Sequence, residues 1–402
     1  MNKIKQQYIL FQSLFGLLLW IPIFYEFQKQ IGLSDPQIFQ IQSIYYLAFI
    51  LFEIPTGHLA DRFGYKSCLV SGAAFLSLAN LLPLLSANFI GMLAHFLLIA
   101  ASRALISGAA SALLFESLKK INCQDHYKEI EGSARSYSLV AKVIGWTGVG
   151  YLMSWSLFSP YLLTGIFSLC ALFVAIKIET EQHITPHPNQ PVERPSFFQG
   201  IVNASLGLAK NHRLLLIMLQ GTGIFVLVRV IQVNLFQPIL LDKQIPIAYF
   251  GWIMAIMTLC EALGSRNAYK LQSSFDDKNA VTTLTVAICI LVAFVSFDVG
   301  SPICIILLCV FSLLVGFAFP IQRQLLNDHI LDTEKRATLL SFDSIISRGL
   351  CSIAVLPMGG LIGKNMLNEA LLGSAVGVLT IIIATNILFA FNSERKFKNA
   401  KI

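Results

Sequence analysis

About twelve stretches of this chain are each apolar for roughly twenty residues, and that pattern leaves few folds open. In hydrocarbon every backbone N–H and C=O must find its partner inside the protein, so a run of this length folds as a membrane-spanning helix. The first six runs fall at 8–30, 37–59, 67–87, 89–117, 133–155 and 158–178. The second six fall at 213–240, 246–269, 280–298, 301–326, 338–363 and 369–391. Only 13% of the residues are charged and 55% are hydrophobic, against about 25% charged in a soluble domain. The first run is too long for the apolar core of a cleavable signal peptide, and the next follows at once. The expected fold is an all-α membrane protein.

Basic residues set the orientation. With the N-terminus in the cytoplasm, 22 of the 29 lysines and arginines lie on the inner side and three, Lys29, Lys243 and Lys364, on the outer side. The remaining four, Arg103, Lys142, Arg229 and Arg348, fall within spans. This bias places both termini inside a bacterial-type inner membrane. The net charge of +7 thus reflects topology and an anionic inner leaflet, and nucleic acid is not an expected partner. The eight cysteines are scattered and form neither a disulfide framework nor a metal-ligand set. There is no glycine-rich phosphate loop, histidine-rich metal set or nucleophile signature, so neither an enzyme nor a cofactor is expected.

Between residues 179 and 212 the apolar pattern lapses, and the run from Thr185 to Pro191 carries three prolines that neither a helix nor a buried strand accommodates. Ser196 and Gln199 then have capping-box spacing, and the apolar face that follows suits a helix lying on the cytoplasmic membrane surface. The expected organisation is a bundle over 1–178, a linker over 179–212 and a second bundle over 213–402. The halves echo one another weakly: Gly57 and Gly264, Gly108 and Gly316, and Lys142 and Arg348 are separated by 207, 208 and 206 residues. Two pseudo-symmetric six-helix bundles, twelve spanning helices in all, follow, with a site expected between them.

The stretch Gly57-His58-Leu59-Ala60-Asp61-Arg62-Phe63-Gly64-Tyr65-Lys66 reads as a tight charged loop between two spans. Its form, Gly-x-Leu-Ala-Asp-Arg-x-Gly-x-Lys, resembles the loop signature of the major facilitator superfamily of secondary transporters. The resemblance implies that Gly57, Asp61, Arg62, Gly64 and Lys66 belong to a gate that holds the cytoplasmic side shut, without touching substrate. Glu53 and Glu116, expected at inner ends of spans, are candidate partners for Arg62 or Lys66. Two departures from the family pattern weigh against a drug antiporter. Arg103 is followed by glycine one place late, at Gly108, and the fifth span has Gly145, Gly148 and Gly150 but no proline.

Ionisable groups at bilayer depth cost at least a few kcal/mol unless they face protein or water, which makes each a functional candidate. Arg103, Arg229 and Arg348 lie about fourteen, sixteen and eleven residues into their spans, too deep to reach water easily at ~1.5 Å per residue. Lys142, about nine residues in, either lines a cavity or snorkels to the interface. Few acids oppose these cations, so the expected cargo is a small organic anion, for which a polycarboxylate such as a carboxylate siderophore would suit. Gln232 and Asn234 are candidate polar contacts. Glu26 is either a titrating proton carrier or a carboxylate that stays ionised at the outer interface. The alternative is a proton-driven exporter of lipophilic or cationic drugs, with the basic residues paired internally. A monomer moving one small molecule against protons, surrounded by lipid and holding no metal, is expected in either case.

Overall fold

A computed structural model describes residues 1–178, 212–272, 277–330 and 336–399. The expected linker and surface helix over 179–212 lie outside the described residues, save for the last residue of that range. The described residues form helices and turns without strands. In chain order the first half comprises α1 (Asn2–Gly16), α2 (Phe24–Gln30), α3 (Asp35–Phe63), α4 (Tyr65–Leu85), α5 (Phe89–Ile106) and α6 (Ala109–Lys120). α7 (Tyr127–Thr147), α8 (Val149–Trp155) and α9 (Ser159–Lys177) complete it. The second half has α10 (His212–Val228), a π-helical stretch Arg229–Leu235, α11 (Phe236–Asp242), α12 (Phe250–Gln272), α13 (Asp277–Val295), α14 (Ser301–His329), α15 (Arg336–Ile362) and α16 (Leu367–Asn399).

Among the described residues, ten segments are long and apolar enough to cross a membrane. The two further expected spans, 37–59 and 133–155, correspond to α3 and to α7 with α8, which are helical. Of the described residues, 1–178 and 245–255 form one compact unit, and 212–244 and 256–399 form the other. The division runs through α12, whose first residues belong with the first unit.

Local chemistry explains the helix ends. Ser34 caps α3 through a capping box with Gln37, and the Asn88 side chain accepts from the Gly91 N–H at the start of α5, each satisfying a donor that the helix leaves unpaired. Between α3 and α4 the expected loop is a single residue. α3 runs on through Gly57 and Arg62 to Phe63, and Gly64 alone makes the turn at φ +82°, a conformation open to glycine but strained for other residues.

Several spans are interrupted, which the apolar runs do not announce. The first breaks between Gly16 and Ile21. Its freed backbone groups are taken up by distant side chains: the Leu19 N–H donates to Thr164 Oγ1 (3.1 Å) and Trp146 Nε1 donates to the Leu18 carbonyl (2.9 Å). Trp20 at the break donates to Asn80 Oδ1 (2.9 Å) and stacks on Tyr161 at 5.9 Å between ring centroids. The fourth span, expected as one helix over 89–117, breaks at Ser107 and Gly108, where Gly108 has φ +95°.

In the first unit α4 packs on α5 and α9, α3 on α5, and α1 on α7 and α9. In the second, α10 packs on α14, α15 and α16, and α13 on α14 and α16. Lipid is as apolar as leucine, so close packing and interhelical hydrogen bonds hold such helices together. α12 and α14 meet backbone to backbone: a Cβ at Gly316 would lie 2.1 Å from the Glu261 carbonyl oxygen, and one at Gly264 2.2 Å from that of Leu313. Elsewhere in this unit Gln322 Nε2 donates to the Ile217 carbonyl (2.8 Å), and the Thr222 and Ser347 hydroxyls share a 3.0 Å bond.

Candidate functional site

The seventh span carries the densest set of candidates, and the structure changes how they are arranged. From Arg229 to Leu235 the helix widens into a π-helix, a distortion that upsets the regular backbone bonding and recurs at functional sites. The Asn234 side chain stabilises it by donating through Nδ2 to the Arg229 carbonyl (2.7 Å). One turn earlier, the Phe225 ring lies 5.1 Å from the Arg229 guanidinium carbon, a cation–π contact that holds the planar group without neutralising it. Arg229, Gln232 and Asn234, proposed separately from the sequence, thus share one distorted stretch.

α12 continues to Gln272, which puts Glu261 at the middle of the helix, where its Oε2 accepts from Gln232 Nε2 at 3.0 Å. The pair joins the π-helix to the face of α12 that packs on α14. The sequence signal for Glu261 is an acid inside an apolar run. α15 also packs against the π-helix. It carries Arg348, half-buried, whose Nε donates to Ser344 Oγ at 3.1 Å.

In the first unit Arg103 lies in the last turn of α5, half-buried, immediately before the break at Ser107 and Gly108, both exposed. A cation at that end complements the negative pole of the helix, and broken helices line substrate sites in many transporters. Among the described residues no ion pair joins Arg103 or Arg229 to an acid. Lys142, on α7, approaches the C-terminal end of α1 so closely that a Cβ at Gly16 would meet its Cε at 3.4 Å and its Nζ at 3.8 Å. The carbonyl pole of α1 is therefore a structural partner for this ammonium. Glu26, on α2, is half-buried and accepts from Gln30 Nε2 at 2.9 Å.

The gate candidates fall around the α3–α4 turn. Arg62 is exposed with its guanidinium 5.3 Å from the Phe63 ring, and Lys66 is half-buried in the first turn of α4. The side chain of Asp61 lies outside the described residues, and Gly57 is within α3. Glu53 is half-buried on α3, with its carbonyl accepting from Thr56, and Glu116 is exposed on α6. No ion pair joins Glu116 to Arg62 or Lys66. Of the described His, Cys, Asp and Glu residues, no three or more are grouped so as to hold a metal ion.

Outside the spans, Lys5 Nζ bonds Glu129 at 2.6 Å, with His126 Nδ1 3.2 Å from the same carboxylate. The Lys5 hydrogen bond, and then His126, hold the Glu129 carboxyl below the usual carboxylate range. Lys243 lies 3.2 Å from Asp242 and 3.4 Å from Asp298. Partial burial lowers its pKa, but the two carboxylates outweigh that and raise it.

The family model of the Major Facilitator Superfamily matches residues 8–356. The chain belongs to the Major Facilitator Superfamily. As a member it is a multi-pass membrane transporter of a small-molecule substrate. Among solved structures, a point mutant of the nucleoside transporter NupG superposes with a TM-score of 0.81 at 14% identity, covering 96% of this chain and 100% of that one. A second NupG structure gives a TM-score of 0.79 at 14% identity, covering 97% and 99%. At that identity the likeness establishes the fold. No curated protein sequence matches the chain.

Proposed function

We propose that this superfamily member is a secondary active transporter that carries a small organic anion, polycarboxylates included, by alternating access across a bacterial-type inner membrane. It works as a monomer with both termini in the cytoplasm, and protons drive it through Glu26. The observation that carries the anionic cargo is Arg229: a guanidinium in the middle of a spanning segment, resting on Phe225 and without an acidic partner among the described residues. Arg103, at the broken end of α5, supports it in the same way. Arg348 and Lys142 add positive potential while bonded or packed against their own units. The segment from Gly57 to Lys66, with Glu53 and Glu116, acts as the gate.

The test is uptake into proteoliposomes under an imposed pH gradient, with labelled organic anions, a lipophilic cation and uridine compared. A charge-assisted hydrogen bond contributes about 1.5–3 kcal/mol, so Arg229→Gln should weaken anion binding by roughly ten- to a hundredfold. Undiminished anion binding in this variant and in Arg103→Gln would overturn the proposal. Uridine is included because NupG, whose fold this chain shares, is a nucleoside transporter. Uptake of uridine in preference to every anion would favour that second reading. Preference for the lipophilic cation would favour a drug exporter.

A further inference from the structure

We infer that the anion carries a hydroxyl group, and that the Gln232–Glu261 pair binds this hydroxyl while Arg229 binds the carboxylate. The inference rests on the proposed anionic cargo and narrows it to hydroxycarboxylates. Three observations, all within the second unit, combine.

The carboxylate of Glu261 stands mid-way along α12 inside a spanning segment, where an acid is costly unless it serves a purpose. Its Oε2 is engaged by Gln232 Nε2, and its Oε1 accepts no hydrogen bond among the described residues. An ionised carboxylate only accepts, whereas the Gln232 amide both donates and accepts. The pair is therefore matched to a group that donates a proton and can accept one in return, which a hydroxyl does and a bare carboxylate does not.

Arg229 and Gln232 are three residues apart within one π-helical stretch. Although a cation and a carboxylate are served from the same short stretch, Arg229 and Glu261 form no ion pair. The Phe225 ring lies against the guanidinium, and Gln232 donates to the carboxylate. A simple anion would gain from Arg229 and be repelled by Glu261. An anion bearing a hydroxyl turns that repulsion into a hydrogen bond, and this asymmetry selects one class over the other.

The backbone of α12 is also fixed at this point. Gly316 lets the Glu261 carbonyl approach α14 more closely than any side chain would permit. The carboxylate is thereby presented from a rigid crossing, the condition under which a buried polar group discriminates between substrates that differ by one hydroxyl.

The experiment uses the purified full-length chain in proteoliposomes and two matched pairs of probes, citrate with tricarballylate and malate with succinate, each pair differing by one hydroxyl. The wild type should bind the hydroxylated member at least about tenfold more tightly, the loss expected when a hydrogen bond to a charged group is deleted. Glu261→Gln should bring that ratio towards one, while Arg229→Gln should weaken both members of a pair and leave the ratio standing. Should Glu261→Gln not fold, Gln232→Leu carries the same expectation. Equal binding of both members by the wild type, or a ratio unchanged in Glu261→Gln while Arg229→Gln still weakens all four anions, overturns the inference and leaves the anionic cargo intact. Failure of all four anions to bind overturns the anionic cargo itself and the inference with it.

Discussion

Single side chains decide more here than their number suggests, because in lipid a polar group that loses its partner cannot turn to water. Asn80 and Trp20 form one such pair, fully enclosed in the first unit. Asn80→Ala leaves the indole N–H without an acceptor and should cost about 1–3 kcal/mol, seen as a lower unfolding temperature in detergent. Glu129 illustrates the opposite, exposed case. Its carboxyl titrates below the ordinary value of 4.5, held down by Lys5 and then His126. The stabilisation is fully present above that ordinary value and is lost as pH falls through the lower, folded value. Glu129→Gln should accordingly lower stability slightly at neutral pH, leave it unchanged at strongly acid pH, and so flatten the acid limb of a stability-versus-pH curve. Lys243 has the reverse sign: with its pKa raised above 10.5 by Asp242 and Asp298 against the effect of burial, its contribution disappears only as pH climbs past that range.

At the level of elements, the interruptions are the informative features. Two glycines tolerate no side chain for different reasons. At Gly64 the obstacle is conformational: Gly64→Ala places a Cβ at φ +82°, costing about 1–3 kcal/mol and shifting the end of α3 that carries the proposed gate. At Gly316 it is spatial: Gly316→Val drives a side chain into the Glu261 carbonyl, and overpacking of about 1–3 kcal/mol or more should appear both as lost stability and as weakened substrate binding. The π-helix offers a milder probe. Asn234→Leu removes the amide that stabilises the Arg229 carbonyl, and substrate binding should fall in this variant with the rest of the fold intact by circular dichroism. Neither the π-helix nor the break after Gly16 was legible in the sequence, since residues 8–30 and 213–240 read as uninterrupted apolar runs. The break at Gly108 left a trace, a glycine one place late, but nothing that distinguished a broken helix from a tightly packed one.

For the molecule as a whole, the number of spans and the distribution of basic residues lead to one topological expectation. Reporter fusions at either terminus should be cytoplasmic, and a tag at the turn after Lys243 should be accessible from outside; labelling in intact cells measures both. Much is fixed by the sequence alone: the all-helical membrane class, and the superfamily through the stretch from Gly57 to Lys66. These follow from residue type alone, because hydrocarbon demands internally bonded helices and penalises every stray charge. Only the tertiary structure decided where the helices give way and what stands beside each charge. Within an apolar run any residue is an acceptable helix former, so a helix breaks where other helices supply replacement hydrogen bonds. Those partners, Thr164 and Trp146 for Leu19 and Leu18, are more than a hundred residues distant, and Glu261 meets Gln232 from another span.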